Sequence, residues 1–205
     1  MDLTGKVCVI TGASSGIGQS LAIKISLKGA TVVMAARRNS KLITIKKKID
    51  NEGGRCIGIK TDITKKLECK HLIDETINLY GKLDILILGA GVSMWSPFEE
   101  ITDISFFDDL MATNYSGAVH CIHAALPHLI SSKGMIVSCS TAQALVGFTN
   151  HSGYAASKHA LHGFLDTLDM ELNGKVQFLE ACLGWIRGTN MRSNAFGPSG
   201  TKMGE

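Results

Sequence analysis

Six short runs dense in apolar and β-branched residues punctuate the chain: Val7 to Thr11, Thr31 to Ala36, Cys56 to Lys60, Leu83 to Leu88, Met135 to Ser140 and Val176 to Leu183. Bounded by Gly, Asn or charged residues, runs of this length read as strands, and their near-continuous apolar character predicts cover on both faces. The stretches between the first four have helical spacing instead: Ile17, Leu21 and Ile25; then Leu42, Ile45 and Ile49; then Leu72, Ile73, Thr76 and Tyr80. Each such stripe needs a sheet to bury it. Strand, helix and strand in alternation therefore predict an α/β fold, a doubly wound, Rossmann-like parallel sheet with helices on both faces. A longer helix is predicted from about Asn150, because Tyr154, Lys158, Leu161, Leu165, Leu168 and Leu172 recur at alternating steps of four and three and share one face. With no Pro- or Ser-rich linker, residues 1–205 are expected to form a single domain, and the Gly/Pro/Ser-rich stretch from Gly197 to Gly204 reads as a mobile loop or frayed end.

Composition narrows the class without naming the chemistry. A hydrophobic content of 45% with only 3 prolines suits a packed core and argues against disorder. The apolar runs fall far short of the roughly 20 residues that span a bilayer, and the N-terminus has no signal-peptide architecture, so a cytoplasmic protein without a membrane partner is expected. Six scattered cysteines lack paired spacings, which predicts buried reduced thiols, with neither a disulfide framework nor a metal site. A net charge of +3 is small, and Lys46, Lys47 and Lys48 lie opposite the apolar stripe of their helix, so they read as a solvated face and no nucleic-acid partner is expected.

The most informative segment follows the first strand directly: Thr11-Gly12-Ala13-Ser14-Ser15-Gly16-Ile17-Gly18, with a helical pattern starting at once. Glycines allow the backbone to turn tightly and approach a pyrophosphate, whose charge is attracted by the free N–H groups at the start of the new helix. Ser14, Ser15 and Ile17 are the other members of this candidate cradle. At the end of the second strand, where a dinucleotide fold that selects NAD places an acidic residue, stand Arg37 and Arg38. A guanidinium can fork onto a 2′-phosphate, so NADP(H) is the expected cofactor. A second constellation lies on the long helix. Tyr154 and Lys158 are one turn apart, which would bring an ammonium close enough to favour the phenolate and lower the phenol pKa from about 10. Tyr154 could then transfer protons near neutral pH.

Taken together, these segments resemble the compact single-domain branch of the short-chain dehydrogenase/reductase family over nearly the whole chain. The resemblance implies Tyr154 and Lys158 as the catalytic pair, with Lys158 also holding the nicotinamide ribose. It implies that Asp62 and Ile63 lie beside the adenine, and that Gly89, Ala90 and Gly91 match the end of an Asn-Asn-Ala-Gly segment. Asn114 resembles the helix Asn of a proton relay, and Ile186 and Thr189 resemble the loop that contacts the carboxamide. Hydride would pass between nicotinamide and the carbonyl carbon of a small-molecule ketone, aldehyde or secondary alcohol while Tyr154 moves the proton. A hydroxyl about 13 positions before the tyrosine orients that carbonyl in the family, which selects Thr141, with Ser140 as the neighbouring candidate. Family precedent also implies pairing of subunits into a homodimer or homotetramer through the helices carrying Asn114 and Tyr154.

Several positions depart from the family pattern. Leu88 and Gly89 replace two asparagines whose side chains tie the central strands, Leu183 replaces a proline before Gly184, and one extra residue separates Gly184 from Thr189. The chain ends about where substrate-covering helices and a last edge strand follow in the family, so the C-terminal substrate lobe is expected to be truncated or unrepresented. Analogy selects Met94, Trp95, Gln143, Leu145, His151 and Trp185 as pocket residues, a mostly apolar set that implies a hydrophobic substrate. An epimerase or dehydratase on the same scaffold, or a catalytically silent nucleotide-binding protein, would share most of these features.

Overall fold

The computed structural model describes residues 2–204. Its centre is a six-stranded parallel sheet in the order β3-β2-β1-β4-β5-β6. The strands are β1 (Val7–Thr11), β2 (Thr31–Ala36), β3 (Arg55–Lys60), β4 (Ile85–Leu88), β5 (Met135–Thr141) and β6 (Gln177–Leu183). The helices are α1 (Gly16–Ser26), α2 (Asn39–Asn51), α3 (Lys66–Tyr80), α4 (Phe106–Met111), α5 (Gly117–Ser132) and α6 (Ser152–Leu172). Strand order reverses between β1 and β4, the position at which an open α/β sheet leaves a crevice at its carboxyl edge.

Alternation along the strands divides the interior into two cores. Val9, Val33, Leu86 and Ile136 face α3, α5 and α6, where Leu72, Cys121, Ile122, Leu161 and Leu165 meet them. Cys8, Ile10, Val32, Met34 and Ile87 face α1 and α2, with Ala22, Leu42, Ile45 and Ile49. The α2 and α3 stripes pack as predicted, but α1 does not. Its fully buried positions are Gly18, Ala22 and Ser26, while Ile17, Leu21 and Ile25 are only half-buried. The physical reason is proximity: a face of small residues lets α1 approach the sheet closely, which moves the larger side chains to its flanks.

Three further features modify the sequence-based picture. Between α4 and α5 a π-helical turn, Ala112–Ser116, interrupts the helical repeat and turns Asn114 inward. Asp84 is buried at the entry to β4, where it accepts the Val7 N–H at 2.9 Å and pairs with Lys6 and Lys82 at 3.0 Å. Burial would raise its pKa, but that bond and the two ammonium groups outweigh burial and leave it lowered. Finally, the segment after β6 is not a frayed end. Phe196 is buried in a cluster with Met94, Phe106, Leu110 and Tyr154, and Met203 N–H bonds back to the Ala195 carbonyl. Of the six cysteines, all free, four are buried, whereas Cys139 is half-buried and Cys182 exposed at the sheet's edge.

Candidate active site

The crevice at the carboxyl edge begins with backbone packed on backbone. Gly12 has φ +68°, and a Cβ there would lie 2.7 Å from the Ala90 Cα; a Cβ on Gly18 would lie 2.6 Å from the Gly12 carbonyl oxygen. Only glycine fits this double contact. Thr11 fastens the cradle to the end of β4: its Oγ1 accepts the Gly89 N–H at 3.1 Å and the Ala90 N–H at 3.2 Å. A side chain on Gly89 would meet the Thr11 carbonyl oxygen at 2.8 Å, so the backbone of β1 and the end of β4 are in direct contact here. Helix α1 starts at Gly16 with its first N–H groups directed at the crevice mouth.

The predicted cofactor residues distribute around this cradle. Arg38 Nη2 donates to Ser14 Oγ and Ser15 Oγ, both at 3.0 Å, so the guanidinium already rests on the glycine loop. Arg37 is exposed beside it and makes no side-chain hydrogen bond among the described residues. Asp62 accepts from the Thr64 N–H and hydroxyl, a local turn that presents Ile63 against Gly117. Thr189 packs against Gly16, 3.6 Å from where a Cβ would sit, and donates to the Ile186 carbonyl at 3.2 Å, while the Ile186 side chain is exposed.

A continuous path then leads from the cradle to the tyrosine. Gly91 follows Ala90 at the end of β4, and a Cβ on it would lie 3.3 Å from Asn114 Oδ1 and 3.9 Å from Lys158 Nζ. Asn114 is held on three sides: Oδ1 accepts the Val92 N–H, and Nδ2 donates to the Val92 carbonyl and to Ser157 Oγ, each at 2.9 Å. Ser157 in turn donates to the Tyr154 carbonyl at 2.8 Å. Lys158 Nζ donates to the Cys139 carbonyl of β5 at 3.3 Å and lies 6.0 Å from the centre of the Tyr154 ring. Glycine 91, Asn114, Lys158 and Tyr154 therefore share one buried corner.

The electrostatics of that corner correct the expected phenol. Burial pushes the Tyr154 pKa up to about 12 instead of down. The ammonium bonds the Cys139 carbonyl and makes no hydrogen bond to the phenol hydroxyl among the described residues, so nothing replaces the hydration that a phenolate would lose. The same burial lowers Lys158, with Cys139 and Glu180 acting in the opposite sense.

The two candidate hydroxyls on β5 are differently engaged. Thr141 Oγ1 accepts the Gln143 N–H at 3.4 Å, capping a short 3-10 turn, whereas Ser140 is buried and its hydroxyl makes no hydrogen bond among the described residues. Around the mouth, Trp95 packs edge-on against His151 at 5.0 Å and Trp185 at 5.6 Å, and Arg192 lies over its ring. Leu145, Val146, Phe148 and Trp185 are exposed there, but Met94 is fully buried and accepts the Gly153 N–H on sulfur. Met94 is thus core, not pocket lining. His151 caps the start of α6 yet is buried, its Nδ1 bonded to the Thr149 carbonyl at 2.8 Å. Ser157 and the Thr11 tie were not singled out from sequence; their signal was a hydroxyl on the inner face of α6 and another at a strand end.

A family model described as short chain dehydrogenase matches residues 6–198. An Arabidopsis thaliana protein named 11-beta-hydroxysteroid dehydrogenase-like 2 is 40% identical over 196 residues, 95% of this chain and 63% of the relative. A Pinus massoniana 11-beta-hydroxysteroid dehydrogenase is 39% identical over 186 residues, 90% of this chain and 52% of that protein. The chain thus spans between half and two thirds of the length of these curated relatives. A Burkholderia phymatum short chain dehydrogenase/reductase in complex with NAD superposes with a TM-score of 0.89 at 26% identity, covering 95% of this chain and 70% of that one. A metagenomic short-chain oxidoreductase in complex with NADP superposes at 0.83 with 28% identity, covering 90% and 85%.

Proposed function

Because this chain belongs to the short-chain dehydrogenase family, we propose that it is an NADP(H)-dependent oxidoreductase acting on an apolar carbonyl or secondary alcohol, with Tyr154 as the proton donor and acceptor. The observation that carries this reading is the continuity of the crevice: one turn of backbone, Ala90 to Gly91, touches both the glycine cradle and the Asn114–Lys158 corner.

The cradle fits a dinucleotide. Gly12 and Gly18 leave the backbone bare where a Cβ would block approach, Ser14 and Ser15 offer hydroxyls, and Arg38 brings a fixed positive charge to the same loop. Those residues would hold the phosphates, with Asp62 and Ile63 toward the base and Thr189 and Ile186 toward the other end. Bound there, the nicotinamide supplies or accepts the hydride. Preference for the 2′-phosphorylated form rests on Arg38, with Arg37 beside it, and on the lack of an acidic residue at the end of β2.

Tyr154 stays protonated through the physiological range, which suits donation of its proton to a substrate oxygen during carbonyl reduction. The reverse reaction requires the phenolate, and Lys158 is the cation positioned to favour it once the groups draw together. Asn114 fixes the entry to this corner through its three hydrogen bonds, and a hydroxyl from Thr141 or Ser140 orients the carbonyl. Exposed Leu145, Val146, Phe148 and Trp185 around the mouth favour a bulky apolar substrate, of which the hydroxysteroids in the relatives' names are one class. Subunit pairing through α5 and α6 and a cytoplasmic location are carried over as part of the same proposal; among the described residues no helix is long and apolar enough to cross a membrane.

The test is oxidation of NADPH and NADH against a panel of ketones and aldehydes that includes steroid ketones, repeated with Tyr154→Phe. Multiple turnover with NADPH, abolished by the substitution, supports the proposal. Tight cofactor retention without net oxidation would point to an epimerase or dehydratase, and binding with no reaction to a silent nucleotide-binding protein.

A further inference from the structure

Two helical turns beyond Tyr154, about 12 Å along the α6 axis, a second polar cluster faces β6; of its members only Glu180 acts on the corner described above, through its charge on Lys158. His162 and Asp166 lie one turn apart on α6, and Glu180 projects from β6 toward them. His162 Nδ1 is 2.5 Å from Glu180 Oε2 and its Nε2 is 3.5 Å from Asp166 Oδ2, and the three side chains bring one donor atom each to within 4.8 Å of one another.

Two independent observations show that this cluster is incomplete as a hydrogen-bonded unit. Glu180 Oε1 is buried without a partner. So is the hydroxyl of Ser138, a residue only 1% exposed that stands directly opposite Glu180 in the β5–β6 register. Both residues line one partly open cavity of about 170 Å³, together with Asp166, Asp169 and Leu165. Buried oxygens are normally satisfied, and the cost of leaving them unpaired rises as the surroundings become less polar.

We propose that His162, Asp166 and Glu180 form a binding site for one divalent transition-metal ion, with Ser138 bonding a water that completes its coordination. One imidazole nitrogen and two carboxylates suit Zn²⁺ or Co²⁺, whereas Ca²⁺ needs six or more oxygen ligands. Ligand distances of about 2.0–2.2 Å require the three donors to draw closer than they are. Asp166, whose side chain is 63% exposed, is free to make that movement. The ion would tie α6 to the edge strand, so its direct readout is stability; by offsetting the Glu180 charge it would also weaken the support that this carboxylate gives the Lys158 ammonium.

Titration of the metal-stripped full chain with Co²⁺, followed by visible absorption and by calorimetry, tests this. One equivalent bound with a weak d–d spectrum and no thiolate charge-transfer band, accompanied by a rise in Tm, is the expected result. Glu180→Gln and His162→Gln should each weaken binding at least tenfold. Asp166→Asn, at an exposed position where folding is not at risk, should weaken it as well. Three results would overturn the proposal: no saturable binding at millimolar Co²⁺, which would leave ordered water as the occupant; a thiolate band, which would assign the ion to cysteine; or binding that all three variants leave unchanged.

Discussion

Thr11→Val tests how the cradle is attached to the sheet. Valine copies the shape of threonine and keeps the β-branched side chain in β1, so the perturbation is confined to Oγ1. That atom accepts two backbone N–H groups, of Gly89 at 3.1 Å and Ala90 at 3.2 Å, and no other described side chain replaces it. Leaving a buried donor unpaired costs about 1–3 kcal/mol. Both residues are half-buried, so water offers partial relief and the lower end applies, about 2 kcal/mol for the pair. For a chain of 205 residues each kcal/mol moves Tm by about 2–4 °C, so scanning calorimetry should show a fall of about 4–8 °C. Thr11→Ser keeps the acceptor and should lose less than half as much. A Thr11→Val protein melting within about 1 °C of the parent would refute the claim that this hydroxyl ties β1 to β4.

Three further outcomes are expected. Gly18→Ala places a Cβ 2.6 Å from the Gly12 carbonyl and should abolish cofactor binding in a fluorescence titration while leaving the circular dichroism spectrum folded. Arg38→Ala should weaken NADPH binding about 10- to 100-fold, the range of a charge-assisted hydrogen bond, with little change for NADH; equal loss for both would remove the 2′-phosphate assignment. Alkaline stability should report the buried phenol. The folded Tyr154 pKa of about 12 lies above the unfolded value near 10, so its contribution is complete below pH about 10 and is lost as pH rises toward 12. Tyr154→Phe should therefore lose stability less steeply than the parent across that window.

All six strands and four of the helices were readable because their apolar patterns are long and uninterrupted, as in Thr31–Ala36 and Asn39–Asn51. The α4–α5 segment was reached only through family resemblance. The π turn at Ala112–Ser116 and Pro127 inside the helix interrupt the pattern, and the stripe that α5 does bury, Ala118, Cys121, Ile122, Ala125 and Leu129, is made largely of small residues that stand out little in sequence. On α1 periodicity misled, because the eye follows Ile17, Leu21 and Ile25 while close packing selects Gly18, Ala22 and Ser26. The site shows the same division. Covalent spacing fixed which residues could meet, and the structure does bring Gly12, Gly91, Asn114, Tyr154 and Lys158 to one crevice. Direction of a pKa shift depends on how much water burial removes, and that was not legible in a Tyr-x-x-x-Lys spacing. Nor could sequence reveal that Phe196, in a stretch of turn-forming residues, would stack on Phe106 and anchor the tail.

The central claim is that a nicotinamide held by the glycine cradle reacts where Tyr154 can move a proton. The most direct measurement is single-turnover NADPH oxidation with a reducible ketone, with NADPH affinity determined in parallel, on the parent and Tyr154→Phe proteins. The account predicts unchanged NADPH affinity and a rate lower by a factor of about 10²–10⁴, the usual contribution of general acid catalysis. An undiminished rate in the Tyr154→Phe protein would contradict it.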